Sequence, residues 1–183
     1  MAATFAFDRD HGAATGAPAH GTTTSTGVTD TNWKNSDTEA TAYSAAPVTA
    51  ANNSLENWIF GHFTGTFNQV LTGLYAHTLT PFGTGLTLKG TPACTGDGDR
   101  LLYTTPSAST NANLTTDMTA AIAIGSGVGV CFGATGPYAT GKATSMTTNP
   151  CWTNYLTTQL QTTGSAVAGD TATVTQTLQY LEN

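Results

Sequence analysis

The stretch NSLENWIFGHFTGTFNQVLTGLYAH, Asn53–His77, decides how the rest of the chain is read. It gathers Leu55, Trp58, Ile59, Phe60, Phe63, Phe67, Val70, Leu71, Leu74 and Tyr75 into one short run. So much large apolar surface in one place makes it the seat of a core. From Trp58 to Phe67 the residues sort by parity. Ile59, Phe63 and Phe67 share one face with Gly61 and Gly65, while Trp58, Phe60, His62, Thr64 and Thr66 take the other. A period of two in aromatic and β-branched residues predicts a strand, not a helix. The two glycines then mark bulges, or places where another backbone comes close.

Towards the amino terminus the signal weakens. Residues 3–8 contain TFAFD, with Phe5 and Phe7 on one face, and predict a short opening strand. From Arg9 to Thr31 the chain is nearly all Gly, Ala, Thr, Ser and His, which buries little apolar surface and reads as an extended arm or long loop. Trp33 stands alone in TNWKN, either a peg tucking the arm onto the body or an anchor for a neighbouring subunit. Thr41–Thr49 reads as a weak edge strand, since Pro47 removes a ladder donor. The expected organisation is an extended N-terminal arm with short strands over 1–49 and a β-built body over 50–183.

Towards the carboxyl terminus, a turn at Thr80–Gly85 leads into LTLKG with Leu86 and Leu88 on one side. Residues 92–100 read as a loop and 101–105 (LLYTT) as a short strand ended by Pro106. Ala120–Ile124 and Val128–Phe132 are apolar, the first compatible with a helical turn, and 133–152 reads as a long loop with Gly136-Pro137 and Asn149-Pro150 as turn signals. The segment 154–162 places Leu156 and Leu160 on one parity. After a turn at Ser165–Asp170, TATVTQTLQYL puts Ala172, Val174, Leu178 and Tyr180 inward and threonines outward, so this strand is expected to pair antiparallel with 154–162. The fold class is all-β, an antiparallel β-sandwich or jelly roll.

Composition bounds the function. Of 183 residues only 9% are charged, while threonine fills about forty positions and glycine 20, so hydroxyls rather than charges wet the surface. A net charge of −6 with five basic residues offers no footprint for nucleic acid or an anionic membrane. No apolar run approaches a spanning helix, and MAATFAFDRDHG lacks the positive start of a secretion signal. Cys94, Cys131 and Cys151 lack metal-type spacing, and free buried thiols in a protein made in a reducing cytoplasm are expected.

Chemistry is sparse. There is no G-x-S-x-G, no phosphate-binding glycine loop, and the histidines (His11, His20, His62, His77) are scattered. His62 and His77 on adjacent strands would make a metal pair, although two hydrogen-bonded or exposed histidines are the commoner outcome. Asp97-Gly98-Asp99 has part of a calcium loop but lacks its third acid, its glycine and its terminal Glu, so a solvated turn is expected. No catalytic residue, cofactor or metal is expected. The candidate interaction residues are Trp33, Tyr43, Tyr138 and Trp152; the last two would either stack on a sugar or be covered by a neighbouring copy.

Four segments carry a resemblance: AHGTTTSTGVTDTNWKN, NSLENWIFGHFTGTFNQV, GTGLTLKGT, and the closing NYLTTQLQTTGSAVAGDTATVTQTLQYLEN. Their most specific parts are the pattern NS-x-E-x-W/Y-x-x-x-HF-x-G-x-F and the final Y-x-x-x-QL strand pair, with 92–100 and 133–151 least matched. In these the chain resembles the structural proteins of tailed bacteriophage virions, small Thr/Gly/Ala-rich β-sandwich proteins. The resemblance implies a non-enzymatic particle component in many copies: a capsid cement or decoration protein, or else a tail, collar or baseplate part. It implies the major capsid protein and other virion proteins as partners, a homo-oligomer (trimer or dimer), and a place on the virion after synthesis in the host cytoplasm. A carbohydrate-binding receptor module is the rival from another class.

Overall fold

In the computed structural model residues 2–79, 82–123, 127–167 and 174–183 are described, with backbone alone over 71–79. The strand predicted from parity is there: β3, Asn57–Gly65, lies inside an antiparallel sheet. On one side it pairs with β1, Ala3–Thr15, in an unbroken register from Ala3 opposite Gly65 to Asp10 opposite Trp58. On its other side lie β10, Cys151–Thr153, and β11, Leu156–Thr162. The sheet continues from β11 to β5, Leu86–Gly90, and β6, Thr116–Asp117; β2, His20–Ser25, flanks β1, and β8, Phe132–Gly133, pairs with β10. A second antiparallel sheet runs β12–β4–β7, from Val174–Glu182, Val70–Leu79 and Val128–Val130, with β9, Ser145–Met146, also on β4.

Parity decides what each face of β3 meets. Ile59 and Phe63 enter a core that also takes Val70, Val130 and Leu178 from the second sheet, with Phe5, Phe7, Val174 and Tyr180 packed against it. Trp58 and Phe60 turn the opposite way and cluster with Tyr103 and Tyr155. Both faces of β3 are therefore covered, which is why its sequence is almost continuously apolar. Phe63 is fully buried, and a side chain of its size contributes about 1.5–3 kcal/mol by leaving water. Gly61 is required by side chains rather than backbone. A Cβ there would stand 2.8 Å from the Phe5 ring, 3.0 Å from Thr153 Cγ2 and 3.1 Å from Leu178 Cδ2. Gly65 ends the strand at φ +88°, where side chains rarely go.

Several expectations need correction. The arm read from Arg9 to Thr31 is largely sheet: β1 is 13 residues long and β2 pairs with it from Arg9–Ser25 to Thr15–His20. Apolar patterning missed this because its buried side chains are Asp8, Arg9 and Asp10, satisfied by polar partners. Thr41–Thr49 forms no strand, only a 3-10 turn at Tyr43–Ala45. Residues 101–105 also form none, although Tyr103 is buried. Residues 120–123 are not helical, and Ile124 lies outside the described residues. The long loop over 133–152 holds β9 and the start of β10.

The terminal strand pairs with β4 rather than with 154–162; β11 is occupied on both edges by β3 and β5. Val174, Leu178 and Tyr180 do face the core, while Thr171, Ala172 and Thr173 lie outside the described residues, as do Thr80 and Pro81 of the predicted turn. His62 and His77 sit on strands of different sheets. Cys94 and Cys131 are joined in a disulfide, their Cα atoms 5.5 Å apart, leaving Cys151 as a free, buried thiol. Cys94 N donates to Gly129 O at 2.8 Å, so the loop after β5 runs beside β7 and brings the sulfurs together.

Candidate functional site

The polar interior starts from three consecutive residues of β1. Arg9, 2% exposed, pairs with Asp37 at 2.9 Å and with Glu39. Gly12 N also donates to Asp37 Oδ2. Lys34 is buried as well, and its Nζ donates to Thr41 O at 2.6 Å and Glu39 O at 3.2 Å. These contacts fold residues 26–56 back over the sheet as a strap. Asp8 accepts from Gly27 N at 2.9 Å through Oδ1, and its Oδ2 lies 3.1 Å from His62 Nδ1. Asp10 accepts from Thr24 Oγ1 at 2.6 Å and from the Tyr155 hydroxyl. Burial raises the Asp37 carboxyl above the usual range, against the pull of Gly12 N–H and Arg9. Burial and the Asp10 carboxylate together push the Tyr155 phenol far up.

A second group fastens the loop after Tyr103. Glu56 Oε2 accepts from Ser107 N at 2.6 Å and Oε1 from Asn111 Nδ2 at 3.3 Å. Gln159, fully buried, donates to Ser109 O at 2.8 Å and accepts from Asn111 N at 3.1 Å. Burial raises the Glu56 pKa, although the Ser107 N–H opposes it.

Beneath the strap opens a cleft of about 800 Å³, lined by residues 27–33, by Phe5–Phe7 and Ile59 of the larger sheet, and by Val174–Gln176 of β12. Among the described residues Asp30 is the one charged residue of its lining. Trp33 forms part of the wall. Its Nε1 donates to Thr158 Oγ1 at 3.1 Å and its ring lies 6.5 Å from Phe82, so the side chain is half-buried against the body. Tyr43 sits at the strap's outer turn and is 56% exposed. Tyr138 and Trp152 each hold a histidine: His20 against Tyr138 at 4.7 Å, and His62 stacked on Trp152 at 5.0 Å and 13°. Both rings also pack against the Trp58–Tyr155 cluster. The four candidates are thus brought to separate places rather than one.

Asp97 and Asp99 occupy a short 3-10 turn and accept from their own loop and, through Asp97, from the loop of Lys142. Asp97 accepts from Arg100 Nε at 2.8 Å and from Lys142 N at 3.3 Å; Asp99 takes Thr95 N and Oγ1. These donors hold both carboxyls below the usual range, the Lys142 N–H leading for Asp97 and the Thr95 hydroxyl for Asp99. Lys142 itself is buried, donating Nζ to Gly136 O at 2.6 Å; burial, with Arg100 nearby, pushes its pKa down to about 7. Burial pushes the Cys151 thiol up to about 11. Among the described residues no group of three His, Cys, Asp or Glu is placed to hold a metal ion. No helix among them is long and apolar enough to cross a membrane.

Sequence reasoning missed the buried charges. Of five basic residues, Arg9, Lys34 and Lys142 are inside the protein. The available signal was their scarcity, together with the D-R-D run beside an apolar strand. What the arrangement does chemically is to fix a strap and two loops onto a sheet through the Arg9 ion pairs and through buried side chains bonded to backbone groups, leaving a surface with few cations. Fold and site together define an all-β protein of two antiparallel sheets carrying a strapped cleft. Comparison with known protein families, curated proteins and solved structures gives no match to this chain.

Proposed function

We propose that the chain is a non-enzymatic structural component of a tailed-phage virion, a cement or decoration protein of the capsid that binds the major capsid protein and neighbouring copies. The two sheets are read as the layers of an open β-sandwich whose free edges and strap serve assembly. One observation carries this reading. Described residues of the segments that bear the resemblance to virion proteins hold the body together. Ser54 Oγ accepts from Leu160 N at 3.0 Å, Glu56 and Gln159 fasten the 107–111 loop, Trp58 and Phe63 fill the two cores, and Tyr155 ties β11 to β1 through Asp10. A motif made of posts rather than reacting groups suits a part whose work is to stay rigid between neighbours. A hydroxyl-rich exterior supports it further, since crowded copies repel one another little.

The test is mass spectrometry and cryo-EM of purified particles. The protein is expected in a fixed ratio to the major capsid protein, with density on the outer capsid surface. Density at the tail, collar or baseplate would move it within the virion, and absence from washed particles would overturn the assignment.

A further inference from the structure

The edge of β1 changes partner halfway along. Beyond Arg9 it is covered by β2, but the register of that pair ends at Arg9–Ser25 and the chain then leaves as the strap. From Ala3 to Phe7, among the described residues, only the β3 side of β1 carries a strand. Backbone groups alternate between the two sides of a strand. Phe7 O accepts from Val28 N at 2.7 Å, so Phe7 points to the open side, and Ala3 and Phe5 point with it. Ala3 N is taken by Glu182 Oε2 at 2.8 Å. The Phe5 N–H and C=O and the Phe7 N–H are left without a strand partner among the described residues, and they face the cleft of about 800 Å³.

The geometry points to this cleft as a receptor for an extended segment of another protein, which adds as a strand to Ala3–Phe7 where β2 departs. Three observations fix the chemistry of the occupant. The unpaired N–H and C=O groups call for a peptide backbone, which an apolar small molecule does not supply. Ile59, Phe7 and Val174 line the slot, so every second side chain of the guest must be apolar. Among the described lining residues Asp30 alone contributes charge, which disfavours an acidic segment. The volume lies in the range that encloses a short ligand, enough for a few residues of strand. The inference deepens the assembly role proposed above and rests on it for purpose, but its test uses the isolated chain and so fails or succeeds apart from the particle experiment.

The experiment is amide hydrogen exchange by NMR on the full-length protein with and without about 1 mM of the capped peptide Thr-Val-Thr-Val-Thr-Val-Thr. Exchange at Phe5 and Phe7 is expected to slow by about tenfold or more, with no change for amides of β5. The same peptide N-methylated at alternate residues keeps the side chains but cannot complete the ladder, and is expected to give no protection. Val28→Glu, which places a carboxylate in the slot, is expected to abolish the effect in a protein that keeps its wild-type spectrum elsewhere. Equal protection by the N-methylated peptide would make the cleft an apolar sink and overturn the inference. So would protection that rises with protein concentration without peptide, which would identify a second copy as the occupant, or no protection under any condition.

Discussion

The Tyr155 hydroxyl donates to Asp10 Oδ2 at 2.5 Å, joining residues 145 apart in sequence within the interior of the larger sheet. Asp10 is 1% exposed and Tyr155 fully enclosed, so neither group has water as an alternative partner. Around this bond Trp58 lies edge-on to Tyr155 at 5.2 Å and Tyr103 at 5.8 Å. The aromatic cluster therefore holds the polar contact that ties β11 to β1 across β3.

Tyr155→Phe keeps the ring and removes only the donor. Asp10 still accepts from Thr24, so the loss is one charge-assisted bond inside the protein, about 1.5–3 kcal/mol. Urea denaturation followed by tryptophan fluorescence measures it. A loss below about 0.5 kcal/mol would mean that water reaches Asp10 and that this face is looser than described.

Glu56 gives a pH dependence of defined sign. Its folded pKa lies above the ordinary 4.5, so between the unfolded and folded pKa the native state binds more protons. Stability is fullest below the unfolded value and falls as pH rises through the folded one. Asp37 adds in the same direction from its ordinary 3.8. Glu56→Gln keeps an amide oxygen for Ser107 N and removes the titration. Its urea midpoint, compared with wild type from about pH 4 to 7, is expected to decline less with rising pH. An unchanged slope would show that Glu56 titrates alike in both states.

Lys142 works in another window. Its folded pKa of about 7 lies below the ordinary 10.5, so between these values the unfolded chain holds the extra proton and stability rises with pH. Lys142→Met retains the stem packed over Gly133 and should flatten the rise between pH 7 and 10. Denaturation midpoints across that range check it, and a variant as steep as wild type would refute the assignment.

How much of this was legible beforehand follows from what patterning registers. The strand Asn57–Gly65 and the facing of Ile59 and Phe63 could be read because apolar parity records burial directly. β1 beyond Phe7 could not, because Asp8, Arg9 and Asp10 are buried against polar partners and none of the residues that follow is a large apolar one. Hydrophobicity is silent about ion pairs formed with residues 28 and 30 positions away. The partner of β12 was misjudged for a related reason. An alternating sequence tells which face is inward but not which neighbour supplies the ladder. Of the site, Trp33 stood out as an isolated indole, whereas the cleft beside it depends on where β2 stops pairing, a tertiary fact.

Gly61 offers a test of the inter-sheet packing. Its Cβ position is enclosed by Phe5, Thr153 and Leu178, groups from three different strands, so one methyl has no direction in which to relax. Gly61→Ala is expected to destabilise by about 1–3 kcal/mol, although alanine suits extended backbone better than glycine does. Gly96→Ala, where nothing lies within 4 Å, is the control and should shift stability by no more than about 0.5 kcal/mol. Equal effects would mean the sheets do not approach as closely as the Phe5 and Leu178 contacts require.

The disulfide fixes the loop after β5 to the end of β7, and so links the larger sheet to the smaller one. Cys94 and Cys131 are 37 positions apart, and closing a loop of that size removes unfolded-chain entropy equivalent to about 3–4 kcal/mol. The double change Cys94→Ser, Cys131→Ser is therefore expected to lower stability by an amount of that order, and reduction of the wild type by a similar one. Cys151 provides the internal control, since its buried thiol is held at about 11 and presents little thiolate at neutral pH. Under native, non-reducing conditions a thiol reagent should label nothing, and after unfolding without reductant it should label one cysteine. Three labelled cysteines after unfolding would mean that the pair is reduced in the protein as made, and that the packing of Cys94 N on Gly129 O alone holds the two sheets together there.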